Sequence, residues 1–169
     1  MKPLQSVAMG LVIVVLVARF AGYDALADPV GWLLVIWGVR RMTDHTTLLA
    51  LAVGALLVAC VVWFPATPDL LEDSDPSLRW AANLPQVLFC VLLCRQLSEL
   101  AGAASDQRAR AWLRTTMVLN ALLALAPVLV FAGDADDLLP SVYAAAGVVV
   151  LMLIVLLFTY ANRAWAPDS

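Results

Sequence analysis

Charged and metal-binding side chains are scarce in this sequence of 169 residues. Only 14% of the residues are charged, and the chain has three cysteines and one histidine. These are too few for a disulfide scaffold or a zinc site, and a single histidine excludes a haem held by two histidines. A net charge of −3 and a pI near 4.9 argue against a nucleic-acid partner.

Hydrophobic residues are present in large excess. They make up 63% of the chain, against about 45 to 50% in soluble domains, and the mean hydropathy is +0.91. A soluble protein of 18.2 kDa has too little interior to bury so much apolar surface. We therefore expect an integral membrane protein that forms a single transmembrane domain over residues 1–169.

Six apolar blocks are candidates for membrane-spanning helices, because about 20 helical residues cross a hydrocarbon core of about 30 Å. The first, third, fifth and sixth blocks are long enough to cross, whereas the strictly apolar parts of the second and fourth are short. The predicted fold is an all-α polytopic bundle of six transmembrane helices in three hairpins. Its helices lie at about 4–20, 29–42, 47–64, 80–98, 112–131 and 140–160.

The first block also resembles a secretory signal peptide. Lys2 precedes the apolar stretch 7–17, and Ala25-Leu26-Ala27 imitates a cleavage site. Arg19 interrupts the segment between the apolar stretch and this site. Retention as a spanning helix is therefore favoured.

The charges predict the orientation of the bundle, because Lys and Arg in short loops stay in the cytoplasm. With the N-terminus inside, eight of the ten basic residues lie on the inner side and nine of the 13 acidic residues lie on the outer loops. Arg19 lies toward the outer end of the first helix, where Asp24 or Asp28 is its expected partner, and a lipid headgroup or another anion is the alternative. We expect both termini in the cytoplasm of a bacterium and a multi-pass protein in its plasma membrane.

No catalytic, cofactor or metal site is indicated. The nine outer carboxylates have a density that attracts Ca²⁺ or Mg²⁺, but they match no liganding pattern and are the expected complement of basic inner loops. His45 lies beside Asp44 on an inner loop, with no nucleophile close in sequence. The cysteines would at most offer soft ligands to Cu(I) and are expected to be buried thiols. The sequence thus argues against an enzyme without excluding one.

Polar residues of the fourth helix recur at steps of three or four and therefore share one face. They are Asn83, Gln86, Cys90, Cys94 and Ser98. Because polar side chains avoid lipid, this face is expected to look into the bundle, toward a partner helix or onto an aqueous cavity. Asn120 of the fifth helix is a natural neighbour, and Pro127 frees the carbonyl of Leu123 in the same helix.

Two functions follow from this pattern. The first is a transport-type protein that holds a small solute between the second, fourth and fifth helices. Pro29, Pro85 and Pro140, which are 56 and 55 residues apart, each open the second helix of a hairpin, so the short second and fourth helices lie at corresponding positions of a weak repeat. Short helices at such positions are typical of transporter sites. Its substrate contacts would be Asn83, Gln86, Cys90, Asn120 and Trp37.

The alternative function is that of a non-catalytic subunit or assembly factor. Its small-residue faces, such as Gly31 and Gly38, and its acidic loops would engage a partner membrane protein or a second copy.

The pair Pro85-Gln86 resembles the hallmark of the PQ-loop carriers of sugars and amino acids. That family is built from units of three helices, whereas the pair occurs once in this chain. The sequence therefore assigns the chain to no family.

Overall fold

The computed structural model describes residues 2–16, 19–20, 23–24, 28–42, 46–63, 76–133 and 136–167. Within these ranges the fold is all-helical apart from one pair of two-residue strands. The helices are α1 (Pro3–Val15), α2 (Asp28–Val39), α3 (Thr46–Trp63), α4 (Pro76–Ala103), α5 (Gln107–Ala132) and α6 (Leu139–Tyr160). The strands are β1 (Arg19–Phe20) and β2 (Tyr23–Asp24), and a 3-10 helix, Asp136–Leu138, precedes α6.

Three of these helices are long and apolar enough to cross a membrane. The spans lie at Trp80–Ala103 in α4, Gln107–Val130 in α5 and Leu139–Tyr160 in α6. The apolar helices α1, α2 and α3 are shorter. The predicted all-α class is confirmed, and the three long helices support a membrane protein.

The first helix ends at Val15, five residues before the predicted end at Phe20. Leu16 already has an extended backbone, with φ −80° and ψ 98°. The segment that leads to this end is rich in β-branched valine and isoleucine, which favour extended structure over helix. Beyond it the chain continues as the antiparallel pair β1–β2, whose register places Arg19 opposite Asp24. This is one of the two neighbours predicted for Arg19, and the ion pair itself stays a prediction.

The fourth helix is longer than its apolar run suggested. It has 28 residues and begins at Pro76, since a proline at the first helical position loses no hydrogen bond. It continues past Arg95, whose Nε lies 3.1 Å from Oε1 of Glu99 one turn later, so the charged end of the helix is supported on its own surface. The expectation that both the second and the fourth helices are short is therefore wrong for α4 and confirmed for α2, which has 12 residues. The expectation that the first helix is long enough to cross is not met by α1, which has 13 residues.

The six helices form a closed ring in chain order. Each helix packs against the next one along the chain, and α6 packs back against α1. The interior is filled by apolar side chains, and the Trp32 ring of α2 meets the Phe89 ring of α4 edge to face, with centroids 5.6 Å apart. Both aromatic side chains are fully buried, so α2 contributes to the packed core between the helices.

The contact between α1 and α2 depends on glycine. A Cβ at Gly31 would lie 2.7 Å from the carbonyl oxygen of Gly10, and one at Gly38 would lie 2.7 Å from that of Pro3. Ordinary contacts between carbon and oxygen are longer, about 3.3 to 3.6 Å. The two backbones therefore approach to a distance that only glycine permits, as in many membrane helix pairs.

The segment after α6 folds back onto the start of α5. Asp106 is the N-cap of α5, and its Oδ1 accepts a hydrogen bond of 3.1 Å from the Ala109 backbone N–H. Its Oδ2 accepts a second bond of 3.1 Å from the Trp165 indole N–H. The Trp165 ring also packs on Tyr160, with centroids 5.6 Å apart. These contacts join the end of α6 to the beginning of α5.

Candidate functional site

A cavity of about 300 Å³ lies among α1, α4, α5 and α6. It is near the end of α1 and the beginning of α6, and beside the first part of α4 and the second half of α5. Most of its wall is aliphatic, with valine side chains contributed by α1, α4 and α6. A cavity of this size and composition is at the lower end of the range for small-molecule sites, about 300 to 1,000 Å³.

Three amide side chains line this cavity together. They are Asn83 and Gln86 of α4 and Asn120 of α5, all of which the sequence pattern selects. Gln86 is half-buried, and its amide has no hydrogen-bond partner among the residues that the structure describes. An amide in an apolar wall at membrane depth is unfavourable unless water or a ligand bonds to it. The Gln86 amide therefore needs a bonding partner from inside the cavity.

Asn120 is nearly fully buried, with 4% of its surface exposed. Its amide nitrogen donates to the Thr116 carbonyl of its own helix at 2.9 Å. The Thr116 hydroxyl donates in turn to the Trp112 carbonyl, also at 2.9 Å. These bonds fix the amide of Asn120 by its nitrogen and leave its carbonyl oxygen as the group that can accept from a molecule in the cavity.

Trp80 ties α4 to α5 at one wall of the cavity. Its indole N–H donates to the Ala124 carbonyl at 2.8 Å. This carbonyl lies next to that of Leu123, the partner that Pro127 removes from the helical ladder. A side chain of α4 thus bonds to the α5 backbone close to Pro127 and joins the two helices.

Two of the predicted contacts do not line the cavity. Cys90 lies one helical turn beyond Gln86 and is 1% exposed, within the packed core. Trp37 is 42% exposed on the outside of α2, with the Arg41 guanidinium 3.7 Å above its ring centroid. On a helix Trp37 lies about 140° around the axis from Trp32, so the burial of Trp32 turns Trp37 outward.

The rest of the polar face of α4 lies inside the bundle. Cys94 and Ser98 are buried, as the pattern predicts, and the Ser98 hydroxyl donates to the Arg95 carbonyl at 2.7 Å. Among the described residues, no buried side-chain nitrogen or oxygen lacks a partner. This part of the face is therefore structural packing, and only its first turns reach the cavity.

Several lining residues were not selected from the sequence. α1 and α6 contribute walls that the sequence did not assign to the site, among them Val15, Tyr143 and Gly147. Aliphatic residues on an apolar helix give no signal that separates cavity lining from lipid contact. Tyr143 lies near the beginning of α6, where an aromatic ring also suits a membrane interface, and its side chain is part of the cavity wall.

The chemistry that this cavity offers is hydrogen bonding without charge. Of the described residues that line it, none carries a charge at neutral pH, and the polar groups are amides, an indole and a phenol. His45 and most of the acidic outer residues lie outside the described part of the chain. Within the described part, no group of three His, Cys, Asp or Glu residues is placed to hold a metal ion.

Comparison of the chain with protein-family models, with curated proteins and with solved structures found no match.

Proposed function

We propose that this protein is a multi-pass membrane protein that binds a small uncharged solute in the cavity among α1, α4, α5 and α6, as part of a transport-type activity. The observation that carries the proposal is the Gln86 amide, which faces this cavity without a partner among the described residues. The Asn120 carbonyl oxygen adds an acceptor on the opposite helix. Two amides on facing helices bond well to hydroxyl or amide groups of a ligand.

The lining supports a ligand without net charge. A charged solute in an apolar wall requires an opposite charge nearby, and the described lining supplies none. Aliphatic surface on α1 and α6 suits the carbon skeleton of the solute. We therefore propose a small, partly apolar molecule with hydroxyl or amide groups.

The proposed topology has six crossings with both termini in the cytoplasm of a bacterium, and the plasma membrane as location. The distribution of basic residues supports it. In this orientation the cavity lies in the outer half of the bundle. The helices α1 and α2 have only 13 and 12 residues, about 20 and 18 Å, so their crossings require local thinning of the bilayer or polar ends that reach the headgroups.

The alternative function, a subunit that presents its glycine face to a partner chain, has less support. Gly31 and Gly38 contact α1 within the chain itself. Their close packing therefore serves the fold, and this face of α2 is not free for a second protein.

Accessibility of the cavity to water tests the proposal. In a Cys60→Ser background, which keeps the buried Cys90 and Cys94, Ala146→Cys places a thiol in the cavity wall. Ala145→Cys is the matched control, because Ala145 is exposed on the outside of the same helix. We expect a membrane-impermeant thiol reagent, added to vesicles that contain the protein, to label the first variant and not the second. Protection of both thiols would contradict an open cavity.

The solute is sought by native mass spectrometry of the protein released from mild detergent. We expect a bound small molecule that is retained by the wild type and lost from Gln86→Leu. Because the Gln86 amide makes no hydrogen bond to a described residue, we expect this change to leave the fold intact. Gln107→Leu, the same change at an exposed site at the start of α5, is the control. A stoichiometric protein companion in place of a small molecule would favour the subunit function.

A further inference from the structure

A second cavity, of about 310 Å³, lies between the beginning of α5 and the end of α6, at the opposite end of these helices from the solute cavity. Arg108 on α5 and Arg163 just beyond α6 contribute to its wall. Both side chains are exposed, and neither forms an ion pair with any residue that the structure describes. Two guanidinium groups from different segments therefore share one cavity, and neither forms a salt bridge with a described residue.

The carboxylate of Asp106, in the same wall, already accepts hydrogen bonds from other groups of the protein. Its two oxygens accept from the Ala109 backbone N–H and from the Trp165 indole N–H. It lies near Arg108 and Arg163 without forming a salt bridge to either. The wall thus keeps a positive balance of two guanidinium groups against one carboxylate.

Tyr160 contributes a hydroxyl group to the wall. Its side chain is 6% exposed and lines this cavity. Its hydroxyl has no hydrogen-bond partner among the described residues, and it is not one of the fully enclosed atoms of the protein. The hydroxyl of this lining residue is therefore available to donate a hydrogen bond to a ligand.

Most of the remaining wall is apolar and continues onto the lipid-exposed surface, and the Thr159 hydroxyl in this wall donates to the Val155 carbonyl of its own helix. Leu156 and Trp112 line the cavity, and Trp112 is 46% exposed. The adjacent surface of α6 carries Val155 and Phe158, which are 62% and 39% exposed. The cavity thus lies where the apolar span ends and the charged end of the bundle begins.

We propose that this cavity binds the headgroup phosphate of an anionic phospholipid. Guanidinium groups from two segments match the oxygens of a phosphate, and the Tyr160 hydroxyl adds a third donor. The apolar wall of Trp112 and Leu156 suits the first part of the acyl chains. Basic pockets between membrane helices at the headgroup level are where such lipids bind. The proposal rests on the proposed membrane crossing of α5 and α6 and is independent of the solute cavity.

Binding is measured by native mass spectrometry of the full chain in an uncharged detergent, titrated with phosphatidylglycerol or with phosphatidylcholine of the same acyl chains. We expect the wild type to prefer phosphatidylglycerol. Removing both charges, in Arg108→Gln with Arg163→Gln, should weaken this binding about 30-fold. Tyr160→Phe, which removes only the hydroxyl, should weaken it about fivefold. The affinity for phosphatidylcholine should remain unchanged.

The matched control is Arg40→Gln with Arg114→Gln, which removes the same number of exposed charges outside this cavity. Equal weakening in both double variants would overturn the proposal, because it would show attraction by net charge alone. Displacement of the lipid by millimolar inorganic phosphate would also overturn it, since the ligand would then be a soluble anion. Flotation with phosphatidylcholine vesicles tests the membrane crossing separately. A chain that floats with these vesicles but shows no preference for phosphatidylglycerol contradicts the lipid site alone.

Discussion

Replacing Gly31 by alanine tests the close contact between α1 and α2. The new Cβ would lie 2.7 Å from the Gly10 carbonyl oxygen and 2.7 Å from Cγ2 of Val14. Ordinary contacts are about 3.3 Å or longer to oxygen and about 3.5 to 4.0 Å to carbon, so the helices must separate by about 0.6 Å or more. The oxygen belongs to the backbone and has no rotamer that moves it away.

Two opposing effects set the magnitude of this change. Overpacking costs about 1 to 3 kcal/mol, and here the cost is at the upper end because neither backbone can yield alone. Alanine has a higher helix propensity than glycine, by about 1 kcal/mol. We therefore expect Gly31→Ala to lower the free energy of unfolding by about 1 to 2 kcal/mol.

Gly147→Ala is the matched control for helix propensity. A Cβ at Gly147 meets no atom within 4 Å. Only the propensity gain applies there, so this variant should be as stable as the wild type or more stable, by up to about 1 kcal/mol. Both variants are compared by reversible unfolding in mixed micelles with increasing dodecyl sulfate, followed by tryptophan fluorescence. If Gly31→Ala is as stable as Gly147→Ala, the close approach of α1 and α2 is refuted.

Three further changes test other contacts in the same unfolding assay. Trp80→Phe removes the hydrogen bond to the Ala124 carbonyl and should destabilise the protein by about 1 kcal/mol, whereas no change would show that water replaces the indole. Ser105, in the turn between α4 and α5, has a φ of 61°, so Ser105→Gly should stabilise by about 1 kcal/mol, and destabilisation would contradict this left-handed backbone. Two hydrogen bonds hold the pKa of Asp106 below its usual value. The larger contribution comes from the Ala109 N–H and the next from the Trp165 indole. The stabilisation by this carboxylate should therefore be complete above about pH 3.9 and be lost as the pH falls through its lowered pKa. Asp106→Asn should lack this loss below about pH 3.9, and an identical pH profile for both proteins would refute the assignment.

The all-α class and the apolar character could be predicted from composition and block length, because these depend on sums over many residues. The ends of the helices could not. The strictly apolar run 84–94 suggested a short fourth helix, yet α4 extends from Pro76 to Ala103. A charged side chain near a helix end reaches the headgroups while its backbone stays helical, so hydropathy marks the apolar core of a helix and not its length.

The candidate site was predictable in part, for a related reason. Helical spacing identified the amides of α4, and Asn120 was identified as a polar residue in an apolar helix. The helices that complete the cavity could not be identified, because they contribute valine and alanine, which look the same when they face lipid. Trp37 was assigned to the site because it lies within an apolar run, but α2 ends two residues later, at Val39. This tryptophan is therefore at the helix end, where its ring packs beneath Arg41.

The contact of α6 with α1 has a consequence for biosynthesis. Chain growth delivers the helices one after another, and the side of α1 that finally packs on α6 has no protein neighbour until α6 emerges. The walls of the proposed solute cavity include both helices, so a nascent chain with only the first five helices does not enclose this cavity. The proposed binding site would thus be completed in a single late step, and a chain that stalls before α6 would lack one wall around the amides of α4.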